Sequence, residues 1–551
     1  MTTRREVQPN AVLAIVLTAI FMNLLDISIV NVAIPSIQRD LGASFAEVQL
    51  VLAGYQLAFA CLLITGGRLG DIYGRKRLFL TGMGLFTLAS ALCGFAPDGT
   101  TLILARVIQG AGAGLMVPQV LSVIQVTIPP QDRGRAFGLF GATIGLAAIT
   151  GPLVGGLLIS LNLFGSDWRM IFLVNIPVGA ASLLGAQRLL PESTSPDAPR
   201  LDLPGAALVT TGLFLIVFPL TEGRERHWPA WIWAMLVVAV PVLVLFVRLQ
   251  LRKTRDNRSP LLLMTLFGNR SFRAGLLLSV LFFSGIPAFF FSFGLYLQLG
   301  LGFSPLRAGL TTFPFALASA IASTRSDTVA RAVGNRVLQL GATLLSVGMV
   351  VVIAVIHLGG VGLAAWQIAP WLLITGAGLG FFVAPLTNLV LAGIQGREAG
   401  SASGALTTGQ QIGGALGVAV IGILLFGSLS GYADDAARGQ IPGLRAALTA
   451  EHLPPAAVGA ATARFERCFT LQTRSSDPSV APPGCTVPPQ ATPAQRRAFA
   501  AAATSARRHV FLHSIQRTLV FEVVVFLLAA LSVSLLPRVH APAQHAAPAF
   551  E

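Results

Sequence analysis

Apolar runs of about 20 residues recur along the whole of this chain, the length at which a helix crosses a hydrocarbon core of about 30 Å. The first is centred near Phe21 and the last near Leu527, and short polar connectors separate nearly all of them. Backbone N–H and C=O groups inside lipid must find partners within their own segment, so runs of this kind fold as helices. Composition agrees: 54% of the 551 residues are hydrophobic and only 11% are charged, against roughly a quarter charged in a soluble domain. The expected fold class is therefore an all-α integral membrane protein. Fourteen such runs can be read from the sequence, and an even number puts both termini on one side.

The formal net charge of +15 does not point to nucleic acid. The basic residues lie in connectors, where the positive-inside rule places them. With the N-terminus inside, the inner connectors hold Arg68, Arg75, Lys76, Arg77, Arg133 and Arg135 with many more, while the short outer ones hold only Arg39, Arg169, Arg224, Arg226 and Arg307. Both termini are expected in the cytoplasm of a bacterial cell, with the chain multi-pass in the cytoplasmic (inner) membrane. The first run contains Asp26 and is long enough to span, so it reads as an uncleaved first helix. One connector is long: residues 429–514, rich in Ala, Pro and Arg, are expected as an outer loop. Cys468 and Cys485 fall in it, on the oxidising side, and are candidates for a disulfide. No cysteine spacing suggests a metal site.

The chain repeats itself. Leu41-Gly42-Ala43-Ser44 returns as Leu301-Gly302-Phe303-Ser304, Gly74 as Gly334, Gly110–Gly114 as Gly376–Gly380, and Gly134-Arg135 as Gly396-Arg397, all in order. Internal repeats are a mark of transporters that rock two halves about a midplane site. The organisation read from them is a six-helix bundle over residues 1–190, an inserted helix pair with its linkers over 191–258, and a second six-helix bundle over 259–551. The last includes the outer loop 429–514 and a short cytoplasmic tail.

Between spans two and three stands Gly67-Arg68-Leu69-Gly70-Asp71-Ile72-Tyr73-Gly74-Arg75-Lys76-Arg77. It resembles the signature loop of the major facilitator superfamily. Asp26 within Leu25–Pro35, Arg106-Val107-Ile108-Gln109-Gly110, and Gly151-Pro152-Leu153-Val154-Gly155-Gly156 resemble motifs of the fourteen-span drug:proton antiporter branch, the multidrug-resistance exporter type, as do Trp168-Arg169 and Asn175-Ile176-Pro177. The resemblance implies the major facilitator fold, two six-helix bundles plus an inserted pair, and proton-coupled efflux of drug-like or amphiphilic small molecules. The coupling ion is the proton and no other cofactor is expected.

Particular residues then take expected roles. Gly67, Asp71, Gly74 and Arg75 would form a conformational latch at the inner face, unless the loop is only a solvated basic turn. Arg331 stands opposite Asp71 in the second half, so a second latch is expected to be degenerate or differently charged. Asp26 sits mid-span, where a charge costs about 2.5–3.5 kcal/mol on insertion scales. The resemblance implies proton coupling for Asp26 and for Arg106, a permanently charged group that needs a partner. Small residues at Gly138, Gly151, Gly155 and Gly156, with Pro152, suit close helix approach, and the resemblance ties this motif to exporters. Candidate cavity residues are Asn23, Tyr55, Gln56, Gln109, Gln119, Gln298, Asn388, Gln410 and Gln411. Glu522, the other acid clearly within a span, is either a substrate group or an outer-end residue touching water. The outer loop would dock a periplasmic adaptor or cover the cavity mouth. A metabolite symporter is the alternative transport reading. An enzyme is disfavoured, since neither HExxH nor a GxSxG elbow occurs.

Overall fold

A computed structural model describes residues 9–43, 45–194, 201–223, 226, 228–256, 258–392, 394–395, 398–474, 485 and 491–536. The described residues form helices α1 (Pro9–Leu41), α2 (Phe45–Tyr73), α3 (Arg75–Gly94), α4 (Gly99–Thr127), α5 (Arg133–Leu161), α6 (Met170–Leu173), α7 (Asn175–Leu189), α8 (Leu203–Glu222), α9 (Ala230–Arg255), α10 (Arg270–Leu295), α11 (Pro305–Val333), α12 (Arg336–Gly359), α13 (Ala365–Ala392), α14 (Ala399–Ala450), α15 (Pro455–Arg474) and α16 (Pro493–Ser532). Twelve stretches among them are long and apolar enough to cross a membrane, α6 and α7 counting as one. The 29-residue α5 and α11 have the length as well, so fourteen crossings are compatible with the structure. Short polar side chains start several of these helices by capping free backbone N–H groups: Asp98 accepts from Thr101 (2.8 Å) and Asn269 from Ser271 (2.9 Å).

The sequence repeat is also a repeat of packing. In the first half α2 and α3 pack on α4, α1 on α5, and α3 on α7. In the second, α11 and α12 pack on α13, α10 on α14, and α12 on α16. The halves meet through the matching pairs α5 with α11 and α14 with α2. Glycines at equivalent turns share a positive φ: +60° at Gly42 and +72° at Gly302, +104° at Gly74 and +62° at Gly334. L-residues with a Cβ rarely adopt that region, which gives these repeated glycines a steric cause.

The inserted pair stands outside both bundles. Helix α8 packs on α2, α14 and α9, while only 17% of the most apolar stretch of α9 is buried. The remaining apolar surface of α9 suits lipid. At the end nearer Asp202 the pair is tied down firmly. Asp202 caps α8 through Gly205 (2.8 Å) and accepts from Gln250 (2.9 Å) and Lys253 (2.5 Å) on α9. Gln250 in turn accepts from the backbone of Leu261 (2.7 Å) and Leu262.

The expectation of a loop at 429–514 needs correction. Helix α14 continues to Ala450, α15 follows, and α16 begins at Pro493, so most of this segment is helical. Its alanine content, high in helix propensity, is the physical reason. Ion pairs Arg438–Glu466 (2.8 Å) and Arg474–Asp434 (2.9 Å) hold α15 to α14. Cys468 and Cys485 are joined by a disulfide, their Cα atoms 5.4 Å apart. Phe469, Gln472 and Thr473 of α15 face Leu299, in the turn that follows α10, across a narrow cleft.

Candidate functional site

Asp26 on α1 and Arg106 on α4 are both fully buried, and they meet: Arg106 Nη1 donates to Asp26 Oδ2 at 2.5 Å. The pair is set in amides. Gln109, three residues along α4 and so on the same helix face, donates to Asp26 Oδ1 at 2.9 Å and accepts from Arg106 at 2.7 Å. Asn175 at the start of α7 donates to Asp26 Oδ1 (3.3 Å) and to Ser90 Oγ (3.1 Å). Ser90 donates to the Phe172 carbonyl (2.9 Å), which ties the pair to α3 and α6.

Arg106 is held on its other sides too. Its Nε donates to the Val51 carbonyl of α2 (3.3 Å), and its guanidinium lies 4.2 Å from the centroid of the Tyr55 ring, a cation–π arrangement. Tyr55 reaches this position because Gly110 leaves room on α4. A Cβ there would stand 2.2 Å from the Tyr55 carbonyl oxygen. The Tyr55 hydroxyl donates to Asn23 Oδ1 on α1 at 2.6 Å. Six helices, α1, α2, α3, α4, α6 and α7, thus converge on one ion pair, and one guanidinium nitrogen, Nη2, is buried without a partner.

A second cluster lies at the arginine-rich face, where the halves touch. Asp71 ends α2, accepts from Arg75 Nη2 at 2.6 Å, and receives the backbone N–H groups of Gly400 and Ser401, each at 3.1 Å. It is therefore a carboxylate on the first turn of α14, where the helix dipole favours negative charge. Gly67 makes this approach possible, since a Cβ there would come within 2.2 Å of the Gly400 carbonyl oxygen. The loop glycine Gly74 leaves space for Glu192, whose carboxylate accepts from Lys76 N at 3.2 Å. Ser122 meets Ser403 (3.3 Å), and Gln125 donates to the Leu391 carbonyl (2.7 Å), both between halves.

The matching contact in the second half is not the one expected at Arg331. Arg331 pairs with Asp327, four residues earlier (2.7 Å), and reaches the Gln131 carbonyl (3.0 Å). Asp327 lies directly against Gly134 in the first turn of α5. A carboxylate near the end of α11 thus faces the start of α5, as Asp71 faces the start of α14. The shift by one helical turn hid this second contact from the repeat offset. Asp327, Asn175, Ser90 and Glu192 are the residues sequence reasoning missed. Asn175 is visible in the sequence only as part of the Asn175-Ile176-Pro177 motif, with no role assigned to its side chain.

Among the small residues of α5, Gly151 lies against Ser28 and Gly155 against Ile29, both on α1, and Gly138 against Ser323 on α11. Gly156 faces open space, so it is not a packing contact. Pro152 stands inside the continuous helix α5. The expected cavity set does not assemble as one lining. Asn23, Tyr55 and Gln109 belong to the ion-pair network. Gln119 donates to the Gly66 carbonyl (2.8 Å) near the latch, Gln56 and Gln298 are exposed, and Asn388, Gln410 and Gln411 are half-buried. Repeat partner Gly396-Arg397 lies outside the described residues.

Residues 16–418 match the model of the Major Facilitator Superfamily. The chain is 40% identical to the probable actinorhodin transporter of Streptomyces coelicolor, over 94% of this chain and 90% of that one. It is 35% identical to the puromycin resistance protein pur8 of Streptomyces alboniger, over 77% of this chain and 83% of that one. The crystal structure of the human organic anion transporter MFSD10 shares the fold with a TM-score of 0.53 at 16% identity, covering 76% of this chain and 94% of that one.

Proposed function

The chain belongs to the Major Facilitator Superfamily, and on that premise we propose that it exports drug-like amphiphiles from the cytoplasm in exchange for protons. Relatives named for actinorhodin transport and puromycin resistance support the outward direction. The observation that carries the coupling is the buried Asp26–Arg106 pair. A proton arriving on Asp26 cancels one charge of the pair, turns one acceptor position into a donor, and weakens the charge-assisted bonds from Gln109, Asn175 and Arg106. Helices α1, α4 and α7 then lose their common anchor. Neutralisation is thereby converted into a change of packing in the first half, which α5 and α2 pass to α11 and α14.

The state described here is joined at the arginine-rich face, which the positive-inside rule assigns to the cytoplasm. Opening that face requires Asp71 to leave the first turn of α14 and Asp327 to leave the first turn of α5. Gly138 and Gly67 let the helices close tightly enough for both contacts. The outer helices α15 and the first part of α16 lean on the second half and cover its outer end. We assign them the role of a lid, in preference to an adaptor dock.

The test is efflux of fluorescent amphiphiles of varied charge from cells holding wild type or Asp26→Asn at matched membrane levels, with and without a protonophore. Wild type should extrude at least one compound, the protonophore should stop it, and Asp26→Asn should lose the uphill component. Protonophore-sensitive accumulation would show import instead. Active efflux that survives the substitution would place the coupling elsewhere.

A further inference from the structure

Glu522 is fully buried on α16, in the run Leu519-Val520-Phe521-Glu522-Val523-Val524-Val525-Phe526. It does not touch water as an outer-end residue would. Its one polar neighbour is Ser292 of α10, whose Oγ lies 3.4 Å from Oε1, and Oε2 has no partner. Ionised carboxylates in such places are paired with a cation, yet no described ion pair includes Glu522 and its surroundings offer none. Between Arg273 on α10 and Tyr296 just after it, between Arg336 and His357 on α12, and between Glu398 just before α14 and Tyr432 on it, no residue titrates. The nearest cation along α16, Arg517, lies over the Tyr432 ring. Tyr296 keeps a buried hydroxyl without a partner. Aligning Gly110 with Gly376 puts Leu372 opposite Arg106, so the second half has lost the arginine of the first.

Hydrogen count supplies the second argument. Ser292 Oγ also lies 3.3 Å from the Phe289 carbonyl of its own helix. One hydroxyl has one hydrogen. Given to Phe289, it leaves Ser292 as an acceptor, and a proton on Glu522 completes the row from carboxylic acid to hydroxyl to carbonyl. The placement mirrors the first half with the groups exchanged. There the carboxylate is on α1 and a polar partner, Asn175, on α7. Here the polar partner is on α10 and the carboxyl on α16, the helices that repeat α1 and α7.

We propose that Glu522 is a second proton-binding carboxyl of the transport cycle, carrying a proton while the halves are joined at the arginine-rich face and releasing it when the opposite state admits water between α10 and α16. This rests on the exchange with protons proposed above. The proton leaves to solvent and the carboxylate stays, so no further reactant is needed.

Two measurements test it on the purified full chain. The first is the infrared carbonyl band of a buried carboxylic acid at neutral pH, independent of transport. Wild type and Asp26→Asn should show it, with a shift in D2O, and Glu522→Gln should lack it. A band unchanged in Glu522→Gln would overturn the proposal. The second uses liposomes under an imposed pH gradient with the voltage clamped and ethidium as probe. Glu522→Gln should still pump, with its accumulation ratio lowered by one factor of the proton gradient, while Glu522→Asp, which keeps the carboxyl, restores the wild-type ratio. An unchanged ratio in Glu522→Gln overturns the proposal while leaving exchange with protons intact. Wild type that does not pump any probe in a panel of cationic, neutral and anionic amphiphiles overturns both. A Glu522→Gln protein that fails to fold is replaced by Ser292→Ala, which should keep the acid band and shift its frequency; a band that stays where it was counts against the proposal.

Discussion

Asp26 and Arg106 have exchanged hydration for each other, and neither can be removed alone without stranding the other. Breaking a buried pair from one side costs about 3–5 kcal/mol, whereas removing both charges together is often near neutral. Arg106→Gln is therefore expected to lower the thermal midpoint, and the double variant Asp26→Asn/Arg106→Gln to recover most of that loss while remaining inactive in uphill transport. A stability assay beside an efflux assay checks this. A double variant that pumps would make the pair a packing device. Arg106→Lys should lose transport at least tenfold, because an ammonium cannot bond Asp26, Gln109 and Val51 and lie over Tyr55 with one planar group. Both charges were visible in the sequence as lone ions in apolar runs. Their contact was not, since it depends on which helices become neighbours. Gln109 was half-visible, one turn from Arg106, and Asn175 was seen only as part of a motif.

At the arginine-rich face the two halves meet through helix ends. Asp71 on the first turn of α14 is worth about 1–3 kcal/mol as a charged hydrogen-bond acceptor. Asp71→Asn should open the arginine-rich face more often, read as several-fold faster maleimide labelling of Ser403→Cys, a position buried between the halves. Unchanged labelling would mean the latch does not hold that face. The inserted pair ends on the same latch: Leu263 N donates to Ser401 Oγ (3.4 Å) after α9, and Arg75 N donates to the Ser193 carbonyl (3.0 Å) before α8. Burial alone would raise the Asp202 carboxyl, but hydrogen bonds from Lys253, Gln250 and Gly205 outweigh it and hold the group below the usual range. A carboxyl held low stabilises the fold fully above its unfolded value, about pH 4, and stops doing so as pH falls through the folded value. Acidification below about pH 4 should thus destabilise wild type more than Asp202→Asn, measured by thermal melts across that window. The outer segment teaches the reverse lesson about reading sequence. Prolines and arginines suggested a loop, but Ala-rich stretches between the prolines are long enough to be helices, with two ion pairs holding α15 to α14 and a disulfide tying α15 to Cys485. Closing a loop of 17 residues by that bond contributes about 3 kcal/mol, so Cys468→Ser/Cys485→Ser should loosen α15 to proteolysis and leave the membrane helices intact.

Across the chain one packing scheme is used twice, the copies joined at one face by carboxylates on helix starts, with a buried ion pair in the first copy alone among the described residues. Repeated glycines such as Gly42 and Gly302 made the duplication legible, because a positive φ tolerates few other residues. The halves have diverged where chemistry is placed. The first keeps Asp26 with Arg106, the second Glu522 without a cation, and no periodicity in an apolar sequence could report that difference. If Asp26 is the site where proton entry is turned into helix movement, a proton gradient must drive the protein only while that carboxyl can titrate. The direct measurement is transport by purified protein in liposomes, with an imposed pH gradient as the sole energy source, for wild type and Asp26→Asn. Wild type should concentrate a substrate against its gradient and release it when the pH difference collapses, while Asp26→Asn should carry it only downhill. Uphill transport by Asp26→Asn at the wild-type ratio would contradict the account.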